Sequence, residues 1–314
     1  MGNNIIFMGT PDFAVKSLDF LIKKNININY VVTSPDKRSG RGLKISKSEV
    51  KTYCELNNIK LLQPENLRDP DFIDQIKKIN PILIVVVAFK KLPSLLFEIP
   101  KYGTINLHAS LLPDYRGAAP INWCLINNET YTGVTIIKIN NNIDCGDILM
   151  QKKVLIDKNE DFETLKNKLS SIGSEILYKT IDLIVKGKIQ SKEQLISEDD
   201  KQAPKLTTNN TRIDWESSID SILGKIRGLT PRPGAWTMLF NGKNQVRMKI
   251  LKARLTNFSK GELKTILLIQ DKKIFISTQN GRIECEIIQL ENKKAMAAKD
   301  LLNGYKFSSN CYVK

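Results

Sequence analysis

The stretch "PILIVVVAFKKLPSLLFEIPKYGTINLHAS", residues 81–110, holds two apolar runs joined by a mixed connection. The first, Ile82 to Phe89, is continuous rather than alternating, and its length suits a strand covered on both faces, as in a parallel sheet. The second starts at Tyr102 and ends in Asn106, Leu107 and His108. Outward from this pair the same grammar repeats. "NIIFMG" (4–9) is a strand closed by Gly9, and "TPDFAVKSLDFLIKK" (10–24) is a helix with Thr10 as N-cap, Pro11 at the first helical position and Asp12 in the first turn. "INYVVTS" and "IKLLQP" read as strands, "SEVKTYCELNN" and "DPDFIDQIKKIN" as helices. Strands alternating with helices predict an α/β fold with a Rossmann-like, doubly wound, mostly parallel sheet.

Further along, "ILMQKKVLI" predicts a strand and residues 161–187 a long helix, whereas residues 187–210 are polar with weak periodicity and read as a linker. A short helix near "SSIDSILGKIRGL" then precedes five short alternating segments, from "AWTMLF" to "RIECEIIQL". These predict a small OB-like β-barrel. The expected organisation is a catalytic domain over 1–186, a linker over 187–210 and a basic barrel over 211–314.

With 314 residues, 41% of them hydrophobic, the chain can bury a large core. No run approaches the roughly 18 apolar residues of a membrane span. Gly2 invites a myristoylation reading, but Ile6 stands where that pattern wants Ser or Thr. A cytoplasmic location is expected. The five cysteines are scattered without a C-x-x-C pair and there is a single histidine, so neither a disulfide framework nor a metal site is predicted.

The net charge of +15 is unevenly spread: residues 205–314 carry 20 Lys and Arg against 9 Asp and Glu. Such a basic segment suits a polynucleotide partner. Compositional drift towards Lys, Asn and Ile is the blander source of the same excess.

Gly9 is one glycine where a dinucleotide fingerprint needs three, so no bound nicotinamide or flavin is expected. Open α/β sheets bind ligands at the carboxyl ends of their strands, which is where His108 falls. Asn106 and His108 are two apart on a strand and share a face. Together they offer an amide donor and an imidazole, one arrangement that could hold an oxyanion; a polar pair satisfied at a strand end is the alternative. "SLLPDYRGAAP" follows as a constrained loop, in which Arg116 could pair with a carboxylate or anchor the backbone. "NNNIDCGD" reads as a tight turn in which Asn142 or Gly146 takes positive φ, carrying Asp144 and Asp147. A carboxylate there is either a turn former or a group that orients the imidazole.

Taken together, "FMGTPDFA", "INLHASLLPDYRGAAP", "TGVTI", "DCGD", "RIDW" and "KKAMAAKDLL" resemble the methionyl-tRNA formyltransferases, a branch of the folate-dependent formyltransferase family. The N-x-H, S-L-L-P and D-x-G-D pieces mark the wider family, and the basic C-terminal part with "KKAM" marks the tRNA branch. The resemblance implies transfer of a formyl group from the co-substrate 10-formyltetrahydrofolate to the α-amine of methionyl-initiator-tRNA, without a metal. By the same resemblance Asn106, His108 and Asp144 fall on the catalytic trio, Ser110, Leu111, Leu112 and Pro113 on the folate-binding segment, and Arg41 on the key tRNA contact of a mobile basic loop. A monomer is expected. Lys90, Asn140 and Asn142 depart from the family's usual residues around the folate pocket.

Overall fold

Residues 4–39, 44–256, 265–278 and 281–314 are described by the computed structural model, so the predicted tRNA contact Arg41 lies outside the described residues. Seven strands form the N-terminal sheet: β1 (Ile5–Gly9), β2 (Ile28–Val32), β3 (Leu61–Leu62), β4 (Leu83–Val87), β5 (Thr104–His108), β6 (Tyr131–Lys138) and β7 (Ile148–Leu155). Their spatial order is β7-β6-β5-β4-β1-β2-β3. The strands β1 to β5 pair in parallel, and β6 and β7 continue the sheet antiparallel. The continuous apolar runs take the centre, with every residue of β1 and β4 buried.

Helices account for that burial. On one face Ile6, Met8, Ile84 and Val86 pack in a cluster with Phe72, Ile73 and Ile76, which belong to the helix Pro70–Ile79. The other face carries Leu107, which meets Gly173 of the long helix Phe162–Val185; a Cβ on Gly173 would sit 3.0 Å from the leucine side chain, which would have to give way by a few tenths of an ångström. The first helix starts one residue later than its sequence suggests. It spans Asp12–Lys23 with Pro11 as N-cap and no side-chain cap bond. Thr10, the expected cap, pairs its hydroxyl with that of Ser34 at 3.1 Å instead.

The chain divides into two compact units, one of residues 1–117, 131–155 and 166–202, the other of residues 118–130, 156–165 and 203–314. The stretch 187–210, expected as a tether, is shared between them. Its backbone explains the difference: Lys192 exchanges two hydrogen bonds with Ile148, of 2.7 and 2.8 Å, and Gln194 is only 7% exposed. A polar sequence is here an ordered strap.

In the second unit the strands β8 (Ala235–Asn241), β9 (Asn244–Thr256), β10 (Leu267–Gln270), β11 (Lys273–Thr278), β12 (Gly281–Leu290) and β13 (Tyr312–Val313) pair antiparallel in the order β10-β11-β12-β9-β8-β13. The two ends of this path meet, because Val313 N donates to Thr265 O at 2.9 Å and Leu267 N to Cys311 O at 3.1 Å. The sheet therefore curls round a core that includes Leu239, Met248, Ile250, Ile276 and Ile288. Against it pack the helices Pro120–Ile126 and Ile219–Leu229. Gly224 and Gly228, one helical turn apart on the second, let the first come close: a Cβ would lie 2.6 Å from the Asn128 side chain and 2.8 Å from the Asn122 carbonyl respectively. Among the described residues no helix is long and apolar enough to cross a membrane.

Candidate active site

β5 ends at the carboxyl edge of the parallel sheet, and its alternation sends Asn106 and His108 to the same face. His108 is 6% exposed. Its Nε2 lies 2.9 Å from the carbonyl oxygen of Tyr115. A carbonyl only accepts, so Nε2 carries the hydrogen and donates it there. The other ring nitrogen, Nδ1, faces Asp144 Oδ2 at 3.6 Å. Asn106 Nδ2 donates to Asp144 Oδ1 at 3.5 Å, the outer limit of a hydrogen bond. The backbone N–H of Gly117 donates to Oδ2 at 3.1 Å. The three residues singled out in the sequence thus converge on one carboxylate.

The turn that delivers Asp144 departs from expectation in one respect. Neither Asn142 nor Gly146 takes positive φ; Asp144 itself does, at 55°. A short polar side chain tolerates the left-handed region, and here the carboxylate is held by the donors just named. Asn140 builds the preceding Asx turn, accepting from Asn142 N at 2.9 Å and donating to Cys145 O at 3.3 Å. Gly146 is required for room rather than for φ, since a Cβ would fall 1.6 Å from the Lys138 carbonyl.

The loop after His108 is tied down along its length. Ser110 is fully buried and donates through Oγ to Asp114 O at 2.6 Å, while its own carbonyl accepts from Thr135 Oγ1 at 2.6 Å. Leu112, also buried, gives its N–H to Thr135 Oγ1 and accepts from Gln151 Nε2 through its carbonyl, and a cis bond joins it to Pro113. Leu111 and Pro113 remain partly exposed between and beside them. Arg116 pairs with Asp200 at 3.1 Å, both side chains nearly buried; this is a charge contact rather than an aligned hydrogen bond. Lys90 is exposed and, with Glu65, Arg68 and Lys91, lines a cleft of about 290 Å³ beyond the end of β4.

Several contributors to this geometry are not readable as motifs. The Tyr115 carbonyl and the Gly117 N–H are backbone groups, and the glycine after Arg116 was their only trace. Gln194, which donates to the carbonyls of Asp144 and Gly146, sits in a polar stretch without periodicity. Among the described residues no group of three or more His, Cys, Asp or Glu is placed to hold a metal ion.

Residues 3–181 match the formyl transferase family, and residues 205–306 match the formyl transferase C-terminal domain. The methionyl-tRNA formyltransferase of Flavobacterium johnsoniae is 43% identical over 309 residues, covering 98% of both chains. That of Thermodesulfovibrio yellowstonii is 42% identical, again over 98% of each. The fold is shared with an N-formyltransferase from Helicobacter canadensis in complex with folinic acid and dTDP-3-aminofucose (22% identity, TM-score 0.65, 91% of this chain and 99% of that one). It is shared too with HypX from Aquifex aeolicus in complex with tetrahydrofolic acid (17% identity, TM-score 0.66, 98% of this chain and 49% of that one). With both regions matched and full-length relatives above 40% identity, the chain belongs to the formyl transferase family.

Proposed function

We propose that this enzyme moves the formyl group of 10-formyltetrahydrofolate to the α-amine of methionyl-initiator-tRNA, yielding N-formylmethionyl-tRNA for translation initiation. The observation that carries the reading is the convergence of Asn106, His108 and Asp144 at the carboxyl end of β5. Full-length similarity to methionyl-tRNA formyltransferases supports the substrate. So does the basic excess of residues 205–314, which formylation of a small amine does not explain.

In this mechanism Asn106 and His108 hold the oxyanion that forms when the amine attacks the formyl carbon. A free α-amine has a pKa of about 7.7 to 8.0, and esterification lowers it, so the nucleophile is largely neutral at cellular pH. Because Nε2 of His108 is committed to Tyr115, Nδ1, on the Asp144 side, is the ring nitrogen left to take up the amine proton, and it donates to the oxyanion once the ring carries that proton. Asp144 orients the ring and helps carry the amine proton towards the departing N10 of the folate. Leu111 and Pro113 form an apolar wall for the flat co-substrate, shaped by buried Ser110 and Leu112. Arg41, within the basic sequence of residues 35–51, contacts the tRNA. The protein works as a cytoplasmic monomer.

The test is direct: offer the protein 10-formyltetrahydrofolate with charged initiator tRNA, charged elongator tRNA or glycinamide ribonucleotide. Formylation of the initiator tRNA alone is expected. Formylation of glycinamide ribonucleotide in preference to either tRNA overturns the reading.

A further inference from the structure

Two residues touch or face His108 from opposite sides, and both have a left-handed backbone that side-chain-bearing residues rarely adopt: Asp144 at φ 55° and Tyr115 at φ 61°. Such a conformation is strained and persists where the surroundings over-determine it. The same strap supplies the restraint at both places. On one side, Gln194 donates from its amide to Asp144 O at 3.0 Å and to Gly146 O, gripping the turn on either side of Cys145. On the other side, Tyr115 N donates to Lys201 O, Lys201 N donates to Asp114 Oδ1 at 3.0 Å, and Asp200 pairs with Arg116 at 3.1 Å. Seven residues after Gln194, the strap is therefore fastened to the loop that offers its carbonyl to His108 Nε2. The strap is itself anchored to the edge strand β7 by the paired bonds between Lys192 and Ile148.

We infer that Gln194 is a positioning residue of the formyl-transfer centre: its amide fixes the turn that places Asp144 opposite His108 Nδ1, while Asp200 and Lys201 of the same strap fix the carbonyl that sets the opposite ring nitrogen. Gln194 touches no substrate in this scheme. It acts through the backbone of Asp144. The inference rests on the reading of Asn106, His108 and Asp144 as the reacting groups.

Gln194→Met keeps the length and bulk of the side chain but removes both donors. Gln194→Glu keeps the shape and turns a carboxylate towards two carbonyls. Because His108 is the only histidine in the chain, an untagged, full-length protein labelled with 15N-histidine gives imidazole signals from this one ring. In both variants kcat for methionyl-tRNA is expected to fall about 10- to 100-fold, as a displaced catalytic group would cause, with KM for the tRNA within about 3-fold of the parent. The His108 imidazole signals of the folded protein are expected to shift in both, with the thermal midpoint of Gln194→Met near the parent's and that of Gln194→Glu lowered by its buried carboxylate. Parent-like kcat with unmoved imidazole signals overturns the inference. So does a loss of activity that follows a loss of folded protein and leaves the imidazole signals of the folded fraction unchanged. If the parent itself fails to formylate methionyl-tRNA, the proposed function falls, and the imidazole signals of the variants still decide whether Gln194 positions the ring's surroundings.

Discussion

Gly117 and Asp144 are joined through a backbone N–H that donates to Oδ2 at 3.1 Å, the same oxygen that faces His108 Nδ1 at 3.6 Å. The carboxylate is therefore aimed by the chain as well as by side chains. Asp144→Asn preserves an acceptor for Gly117 and a residue that tolerates positive φ, so the turn should survive and only the charge should go. Formyl transfer is expected to fall about 100- to 1000-fold, and His108→Ala should do the same, with tRNA binding retained in both. Steady-state turnover beside a tRNA-binding assay checks this; near-parent turnover in either variant removes the residue from the mechanism.

Gly146→Ala attacks the same turn sterically. Its Cβ would meet the Lys138 carbonyl at 1.6 Å, a backbone atom that cannot swing aside. A loss of about 1–3 kcal/mol is expected from chemical denaturation, with turnover falling further than stability because Asp144 lies two residues away. An unchanged denaturation midpoint would show that the turn relaxes without consequence.

Thiol reactivity should be confined to one position. Burial pushes the Cys54 thiol up to about 11 and raises those of Cys285 and Cys311 as well, so at pH 8 all three stay protonated and inert. Cys124 is buried too, whereas Cys145 is partly exposed. Iodoacetamide should therefore modify Cys145 first. Its neighbours are Asp144 and Gly146, so alkylation should abolish turnover and Cys145→Ala should resist inactivation. Peptide mapping that finds another cysteine alkylated first contradicts this order.

Salt should separate the two substrates. If the basic C-terminal third meets tRNA phosphates, raising salt from about 50 to 200 mM should raise KM for the tRNA steeply and leave KM for the folate comparatively flat. Equal salt slopes for both substrates would argue that the charge excess reflects composition alone.

The sheet was legible because its central strands are unbroken apolar runs and its helices begin at Pro, Ser and Asp. His108 and Asn106 were legible because a strand repeats every two residues, which fixes a shared face from spacing alone. Asp144 needed the family resemblance to rise above an ordinary turn carboxylate, and the structure then put the positive φ on that residue rather than on Asn142 or Gly146. The Tyr115 carbonyl and the Gly117 N–H were beyond reach, since every residue but proline carries both groups and only the fold aims them. Gln194 was hidden for a related reason. A glutamine in a polar stretch has the composition of a tether, and its 7% exposure follows from backbone pairing with β7 that no local pattern announces.

The second unit is not a cassette that begins where the chain leaves the strap. Its core includes Ile126, and its helix Ile219–Leu229 accepts a bond from Asn122 Nδ2 at the Gly228 carbonyl, 2.7 Å away, and another from Asn128 Nδ2 at the Asp220 carbonyl. Residues 118–130 thus belong to it although residues 131–155 and 166–202 of the other unit intervene. Transplanting residues 203–314 into a relative would bring Gly224 and Gly228 without the helix they were shaped to receive. A gene fusion or a domain swap in this family should tolerate exchange only when the helix Pro120–Ile126 travels with the barrel, so that the pieces inherited together are defined by packing and not by their order in the gene.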